Sequence, residues 1–492
     1  MPATPARPRS RGARASACAL FAAVALAPVV PAAAQLLGLE TLGDVSELLQ
    51  NAGNRLATEG RAVPAGAADA GLTGRALNAW DLQAFDGKVY LGGGDTTSNP
   101  GPLNLWAFDL ALGAFPDAPE AVVEAEAIEN FRVFGGTLYV PNSDPTAGDG
   151  VRYLRRGPGD AGFASVRADG IRLAHTRDLV VLGDGAIVAV GNHREVTATG
   201  GSLNSPEAIA ASRDGPSAAV SADGGATWSP AVDPTQIGPL GNWYYSAFAY
   251  GGRVFATTLA MRTNGTFQRF EPLVEFDPEA ASFVRSGVAL VPPEGEEPEL
   301  RPGAVPADRF YAPPAAEADR LQDPATGERA LGVVPLVRAS VELDGVLVYA
   351  MATHSPFPPT RKRFYRNTLG LFTKKSLDAD PVPVVFPARG AVGEDVLLQD
   401  NAVLALANRR RPDGSYDVYV YRSAEPTSGV WSEVLRFRSE NLARSFEFAG
   451  GAFFFGLGFD GLLDEPDPAS DRSPGTLLYV VVDRTGEGRN AR

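Results

Sequence analysis

The stretch WDLQAFDGKVYLGGG at residues 80–94 places two apolar segments on either side of Asp86-Gly87. An Asp-Gly pair in this setting is typical of a β-hairpin, because both central residues of a type I′ turn need a positive φ. Six later stretches repeat the pattern: NFRVFGGTLYV at 130–140, RDLVVLGDGAIVAVG at 177–191, YSAFAYGGRVFATT at 245–258, ASVELDGVLVYAM at 339–351, EDVLLQDNAVLALAN at 394–408 and SFEFAGGAFFFG at 445–456. Seven copies predict a repeat architecture.

The spacing of the hairpins predicts the kind of repeat. Successive turns are 49, 49, 67, 93, 56 and 50 residues apart, counted at Gly87, Gly136, Gly185, Gly252, Gly345, Asn401 and Gly451. A period of about 50 is typical of a four-stranded propeller blade. Apolar segments that would form outer strands follow at 103–115, 218–228, 271–284 and 416–431. We therefore predict an all-β fold, a single seven-bladed β-propeller over residues 76–484 with a tail at 485–492.

Three segments depart from the regular pattern. The 93-residue interval contains the Pro- and Glu-rich residues 286–332, which we interpret as an inserted loop. The last blade shows only three strands, so we expect the segment before Ala76 to donate the fourth. Within the N-terminal segment 35–75, helical spacing predicts one amphipathic helix over about 36–57, formed by Leu36, Leu37, Leu39, Leu42, Val45, Leu48 and Leu49.

The first 34 residues have the layout of a secretory signal peptide. Arg7, Arg9, Arg11 and Arg14 precede an apolar run from Ala17 to Val30, and small residues precede a cleavage site after Ala34. The apolar run is shorter than the about 20 residues that a membrane span needs. We therefore expect a secreted or periplasmic protein with no membrane span.

Composition excludes several classes of protein. The chain has 44 basic and 58 acidic residues, a net charge of −14, which argues against binding to nucleic acid. Its single cysteine excludes a disulfide framework and a zinc ribbon. It contains no Gly-x-Ser-x-Gly, His-Glu-x-x-His or P-loop motif. We expect a monomer.

The residues Ser221-Ala222-Asp223-Gly224-Gly225-Ala226-Thr227-Trp228 follow the pattern Ser/Thr-x-Asp-x-Gly-x-Thr-Trp. This is the Asp box, and the chain here resembles the Asp-box (BNR-repeat) propellers, which include sialidases and other glycoside hydrolases. The resemblance implies that Asp223 accepts local backbone hydrogen bonds in an outer-strand turn of the third blade. The copy at 423–431 is degenerate, and the early Arg-Ile-Pro motif of sialidases is absent, so the resemblance covers blade architecture only.

Candidate functional residues follow from propeller geometry, because each innermost strand begins near the axis at one end of the ring. We interpret Asp81, Asp178, Asp395 and His175 as candidate acid–base residues there. Since charges are costly to bury alone, these groups would either pair with one another to cap the channel or line a polar pocket. In a pocket, a substrate would be bound by Trp80, Arg177, Tyr244, Tyr245, Arg338 and Arg444.

Two charged loops belong to the same end. An acidic loop after the second strand of the last blade has oxygen ligands that suit Ca²⁺: Asp460, Asp464 and Asp467. A basic cluster follows the second strand of blade 5, consisting of Arg361, Lys362, Arg363, Arg366, Lys374 and Lys375. It would either bind an anion or form a solvated loop.

Two classes of function remain open. The first is an exported propeller directed at a carbohydrate, in particular an acidic glycan, through a polar pocket at the axis, with glycoside hydrolase or lyase activity as one form of it. The alternative is a non-catalytic propeller that binds a cell-envelope component or a protein. The polar residues at the strand starts favour the first, and the three histidines and lack of a sharp catalytic motif favour the second.

Overall fold

Strand pairing in the computed structural model forms seven antiparallel sheets of four strands, the blades of a β-propeller. The structure describes residues 41–58, 78–94, 102–145, 150–171, 173, 175–193, 215–231, 243–259, 273–290, 334–355, 365–458 and 474–482. The predicted signal peptide, the tail and most of the 286–332 insertion lie outside these ranges. Among the described residues, no helix is both long and apolar enough to cross a membrane.

The strands of blades 1 to 6 run outward from the axis in chain order, and blade 7 takes its outermost strand from the N-terminal segment. Blade 1 comprises Leu82–Phe85, Lys88–Leu91, Leu103–Asp109 and Ala121–Val123. Blade 2 comprises Arg132–Phe134, Thr137–Pro141, Val151–Arg156 and Ala164–Ala168. Blade 3 comprises His175–Val181, Ile187–His193, Gly215–Ser221 and Ser229–Pro230. Blade 4 comprises Trp243–Tyr250, Arg253–Leu259, Leu273–Asp277 and Ser282–Arg285.

The remaining blades follow the same order. Blade 5 comprises Val334–Leu343, Val346–Ser355, Tyr365–Lys374 and Val382–Pro383. Blade 6 comprises Val392–Gln399, Ala402–Arg410, Tyr416–Ser423 and Ser432–Ser439. Blade 7 comprises Leu442–Ala449, Ala452–Gly458, Leu477–Val481 and, from the N-terminal segment, Gln50–Gly53. A small pair, Ala125–Ala127 with Ser143–Pro145, lies beside blades 1 and 2, and Pro426–Ser428 form a 3₁₀ turn.

The seven predicted hairpins are the innermost strand pairs of the seven blades. In six of them, both central turn residues have a positive φ, as at Asp86 (49°) and Gly87 (74°). Blade 6 achieves this without glycine, since Asp400 and Asn401 have φ values of 48° and 53°. Asp and Asn tolerate this conformation better than other side-chain-bearing residues, so the turn chemistry sets the register of each hairpin.

The hydrophobic core is divided among the contacts between neighbouring blades. One cluster of buried apolar side chains fills each of the seven interfaces, including the one between blade 7 and blade 1. In that last interface Phe108 of blade 1 packs on Phe454 of blade 7, with ring centroids 5.4 Å apart. The ring is therefore closed by the same kind of face-to-face packing that joins its other blades.

The N-terminal segment closes the ring, as predicted. Gln50–Gly53 pairs antiparallel with Leu477–Val481 as the outermost strand of blade 7, and Gly43–Asp44 adds a short parallel strand to Ser432–Ser439 of blade 6. The helix predicted over 36–57 is wrong for the described residues, where only Arg55–Thr58 is helical. Pairing with two free strand edges outweighs the helical spacing of the leucines.

The motif residues 221–228 form the turn between the third and fourth strands of blade 3. Asp223 Oδ1 accepts hydrogen bonds from the Thr227 amide and the Ser221 hydroxyl, both at 2.8 Å, and Asp223 Oδ2 accepts one from the Thr227 hydroxyl. Hydrogen bonds from Thr227 and Ser221 lower the pKa of Asp223 to about 2. The turn lies at the end of the ring opposite the starts of the innermost strands, so it organises the blade and takes no part in a site there.

Candidate functional site

All innermost strands begin at one end of the ring, which we call the entry end. The second strands end and the third strands begin at this end too. In blades 3 and 4 these two strands are separated in the sequence by residues 194–214 and 260–272, which lie outside the described residues. At the opposite end, most of the innermost hairpins turn through two residues. Long connections on a rigid scaffold are where binding groups concentrate, so the entry end is the candidate functional face.

A β-bulge interrupts the innermost strand of five blades close to its start. The register shifts between Thr176 and Asp178 in blade 3, and equivalent shifts occur in blades 4 to 7. A bulge turns the side chain of the extra residue away from the regular alternation of the strand. The bulged residues are Arg177, Tyr245, Arg338, Glu394 and Arg444, four of which the sequence predicts as substrate-binding residues.

Arg338 of blade 5 contacts residues of three other blades. Its guanidinium donates through Nη2 to the backbone carbonyl of Trp80 in blade 1, at 2.7 Å, and to that of Arg444 in blade 7. Its Nη1 also pairs with Glu394 Oε2 of blade 6 at 3.3 Å. Arg338 is thus held by three blades besides its own, which is the channel-capping arrangement that the sequence left open as one alternative.

Two cation–aromatic pairs flank this group. The Arg444 guanidinium lies 5.1 Å from the ring centre of Trp80, whose indole N–H donates to the Gly94 carbonyl at 2.7 Å. The Arg177 guanidinium lies 5.4 Å from the ring centre of Tyr245. The Tyr245 hydroxyl donates to Glu129 at 2.9 Å. These two pairs place arginine and aromatic side chains together at the entry end.

The three predicted catalytic aspartates each join one blade to the next. Asp81 accepts the Phe131 amide at 2.7 Å, Asp178 the Ala247 amide at 2.8 Å and Asp395 the Phe446 amide at 3.1 Å. Each also accepts the amide of the residue that follows it. Asp178 in addition forms a 2.6 Å ion pair with Arg132 of blade 2. These carboxylates therefore hold inner strands together, and their catalytic role stays a prediction.

Burial raises the pKa of these carboxyl groups. Burial raises the pKa of Asp81 to about 6. Burial also raises the pKa of Asp395 to about 8; the positive charge of Arg338 opposes this shift and the negative charge of Asp81 adds to it. The pKa of Asp178 is also raised by burial, against the effect of Arg132. Nearby Glu447, whose carboxylate accepts the Ala84 and Phe448 amides, has its pKa raised by burial to about 7. Asp395 therefore keeps its proton at neutral pH, and Glu447 keeps its proton in part.

These raised pKa values predict that stability falls as the pH rises. The unfolded chain releases these protons near pH 4, whereas the folded chain holds them up to about pH 6–8, so the folded state binds more protons across that window. We expect the free energy of unfolding in urea to be lower at about pH 8.5 than at about pH 5, by on the order of 3 kcal/mol. Asp395→Asn should reduce this difference. A free energy of unfolding that rises across the same interval would contradict the prediction.

A set of buried polar atoms without partners lies in blades 2 and 3 at the entry end. Asn192, 1% exposed, has no hydrogen-bond partner among the described residues for either its amide nitrogen or its amide oxygen. Asn142 Oδ1 and Ser143 Oγ, which follow the second strand of blade 2, are also buried without a hydrogen-bond partner among the described residues. His175 lies directly opposite Asn192 in the strand register. Buried polar groups in folded proteins are nearly always hydrogen-bonded, so Asn192 is a position at which an ordered water or a ligand group would supply the missing partners.

Asn408 of blade 6 lies at the position that corresponds to Asn192 in blade 3, and its amide nitrogen and oxygen are both hydrogen-bonded to the next blade. Asn192 and Asn408 occupy equivalent places, since each lies two residues past the strand partner of the inner aspartate, Val190 opposite Asp178 and Leu406 opposite Asp395. Asn408 donates to the Ala443 carbonyl at 2.7 Å and accepts the Ala443 amide at 3.0 Å, which ties blade 6 to blade 7. Asn192 makes no such bonds to blade 4. Neither Asn142 nor Asn192 is among the residues predicted from the sequence, although the recurrence of asparagine at Asn192 and Asn408, near the ends of two second strands, is a visible signal.

The other candidate residues have different locations. Tyr244 is fully buried in the core between blades 3 and 4, with its ring 5.0 Å from that of Phe283, and its role in substrate binding stays a prediction. Lys374 is buried at the far end of the ten-residue strand Tyr365–Lys374 and donates to the Ala379 carbonyl, so it is not part of a basic loop at the entry end. The proposed Ca²⁺ ligands Asp460, Asp464 and Asp467 lie outside the described residues, and within the described part no cluster suits a metal ion.

Comparisons with known proteins give matches in structure alone. No protein-family model and no curated protein matches the chain. Similar solved structures include YCF48 from Cyanidioschyzon merolae, at 12% identity over 82% of this chain and 94% of that one, with a TM-score of 0.36. A PL25 polysaccharide lyase, an ulvan lyase, is 13% identical over 83% and 93%, with a TM-score of 0.43. A GH74 xyloglucanase from Xanthomonas campestris is 10% identical over 86% and 55%, with a TM-score of 0.40. A likeness at this level assigns no function.

Proposed function

We propose that this chain is an exported, secreted or periplasmic propeller of the Asp-box kind that binds an acidic carbohydrate at the entry end of its ring. The observation that carries the proposal is the buried amide of Asn192, which has neither donor nor acceptor satisfied among the described residues and lies beside His175. An unpaired buried amide costs about 1–3 kcal/mol, and hydrogen bonds to a ligand would offset that cost.

The chemistry of the surrounding groups suits a sugar. A hydroxyl group both donates and accepts, so two neighbouring hydroxyls satisfy the nitrogen and oxygen of one amide. Arg177 of blade 3 supplies a guanidinium, and Tyr245 of blade 4, which contacts it, supplies an aromatic ring. Arginine matches a carboxylate or sulfate group geometrically. These properties favour an acidic sugar over an apolar ligand.

The proposed activity is binding. Asp81, Asp178 and Asp395 have backbone amides on their carboxylate oxygens, which favours a structural role for them over general acid–base catalysis. Hydrolysis or lyase chemistry would therefore need other groups, of which His175 is the sequence-predicted candidate. Binding of a protein or another cell-envelope component is the competing function, and it is favoured if no oligosaccharide binds in the experiment below.

Asn192→Ala and Asn408→Ala form a matched pair for testing the proposal. With Asn192→Ala we expect at least about tenfold weaker binding of acidic oligosaccharides and a stability unchanged within about 1 kcal/mol, because no protein hydrogen bond is lost. With Asn408→Ala we expect unchanged affinity and a loss of about 2 kcal/mol, because both backbone groups of Ala443 lose their partner.

Affinities are measured by calorimetry against oligosaccharides with and without uronate units, and stabilities by urea denaturation. Two results count against the proposal: no oligosaccharide in the panel binds, or the Asn192→Ala protein binds as tightly as the parent. Binding of neutral oligosaccharides alone would remove the acidic specificity.

A further inference from the structure

A cavity of about 280 Å³ opens on the rim of blade 6 near the entry end. Four guanidinium groups and two carboxylates contribute to its lining: Arg409, Arg411, Arg436, Arg438, Asp44 and Asp417. The cavity is slightly smaller than the roughly 300–1,000 Å³ of typical small-molecule sites. It has room for one small ligand and lies apart from the groups at the axis.

The strand register explains why these residues share one face. Asp417 is paired directly with Arg409 on one side and Arg438 on the other. Two residues along, Tyr419 is paired with Arg436, which in turn lies opposite Asp44 of the N-terminal strand. Side chains directly opposite one another in a sheet lie on the same face. The cavity is thus built from four strands, one of which comes from the N-terminal segment.

The charges of the cavity lining favour an anion. Arg409 and Arg411 share one carboxylate, that of Asp417, whereas Arg438 pairs with Asp413 at 2.6 Å and Arg436 with Glu433 at 3.4 Å. The positive charge in excess is therefore that of Arg409 and Arg411. Asp417 holds two of the arginines in place, with Arg411 Nη1 at 2.9 Å from Oδ1 and Arg409 Nε at 3.1 Å from Oδ2. Although burial opposes it, hydrogen bonds from Arg409 and Arg411 lower the pKa of Asp417, so this carboxylate stays charged and is the group with which a bound anion has to compete for the two guanidiniums.

One donor in this cluster has no acceptor. Arg411 Nε is buried and makes no hydrogen bond with any described residue, although the same side chain contacts Asp417 through Nη1. A guanidinium presents its N–H groups as a fork that matches two oxygens of a carboxylate, sulfate or phosphate. The unused Nε–H of Arg411 indicates that the cluster is not completed by Asp417 alone.

We propose that this cavity binds a small oxyanion, either free or carried on a sugar, with Arg409 and Arg411 as its donors. The oxyanion takes its place beside Asp417, which competes with it for the same guanidinium groups. The inference is separate from the proposed function, because it concerns other residues and is tested with different variants.

The test uses the full mature chain and calorimetric titration with sulfate, phosphate and glucuronate, with glucose 6-sulfate against glucose to distinguish a sugar-borne group from a free ion. We expect the parent protein to bind at least one oxyanion. An Arg409→Gln/Arg411→Gln double variant should bind it at least tenfold more weakly. Asp417→Asn should bind it several-fold more tightly, because the competing carboxylate is removed.

Arg422→Gln is the matched control, since Arg422 lies in the same strand but outside the cavity; its affinity should equal that of the parent. Chloride at equal ionic strength controls for screening. The proposal is overturned if the parent binds none of the oxyanions, or if the double variant binds them as tightly as the parent. If the double variant does not fold, the Asp417→Asn protein decides. Binding by the Asp417→Asn protein that is unchanged or weaker than in the parent also overturns the proposal.

Discussion

A chain that begins at residue 59 is expected to lose about 5 kcal/mol or more of its free energy of unfolding. Such a chain lacks the outermost strand of blade 7, so the edge of Leu477–Val481 is left without its hydrogen-bonding partner. It also lacks Val45, which is 1% exposed in the core between blades 6 and 7. The stacking of Arg55 on Trp106 in blade 1, at 4.8 Å, disappears with them. The loss is measured by urea denaturation against a chain that begins at residue 35.

Two single substitutions within the same segment provide the control. Val45→Asp would bury an unpaired charge and should destabilise the protein by about 3 kcal/mol or more. Leu48→Asp should change the stability by less than about 0.5 kcal/mol, because that side chain is 54% exposed. If the shortened chain and Val45→Asp both match the stability of the parent, the segment does not close the ring in solution.

Asp178→Ala is expected to destabilise the folded protein by about 3–5 kcal/mol at neutral pH. The Asp178 side chain is fully buried and is the acceptor for Arg132 at 2.6 Å and for the amides of Leu179 and Ala247, both at 2.8 Å. Removing the carboxylate leaves a cation and two backbone donors without their acceptor. Asp178→Asn preserves the shape of the side chain but places its amide N–H₂ group against one of the three N–H donors that the carboxylate accepted. A smaller loss of stability, about 1–3 kcal/mol, is therefore expected.

Asp169→Ala removes an aspartate that also pairs with an arginine, but on the surface. The Arg167–Asp169 pair is more than half exposed on both sides, and such pairs contribute about 0–1 kcal/mol. Equal melting temperatures for Asp178→Ala and Asp169→Ala would refute the structural role of Asp178. Thermal unfolding followed by circular dichroism at constant salt concentration makes the comparison.

The fold was largely predictable because its turns carry a strong local pattern. Asp86-Gly87 and its equivalents specify hairpins through backbone conformation alone, without knowledge of the packing. The N-terminal helix was mispredicted because Leu42, Val45 and Leu49 also have helical spacing. Gly43 and Gly53, with φ values of +70° and +107°, were the local evidence against a helix, but the free edges with which this segment pairs belong to blades that are distant in sequence.

The candidate sites were less predictable because they depend on register between strands. Arg177 and Asp178 are adjacent polar residues, but only the bulge shows that they serve different purposes. The arginines of the blade 6 cavity occupy alternate positions in the segments 409–411 and 436–438, which is the pattern of an ordinary solvated strand face. Only their pairing across Asp417 brings them together.

Completion of blade 7 also has a kinetic consequence. The Tyr479 hydroxyl donates to Gln50 across a separation of 429 residues, whereas each innermost hairpin forms between neighbours in the sequence. The hairpins can therefore form while the chain is being synthesised, but the last blade has to wait for nearly the whole chain. Contacts of such high contact order form slowly. During that delay the edge of Leu477–Val481 is open to pairing with another chain, so the closing step is the stage of folding at which this protein is most exposed to aggregation.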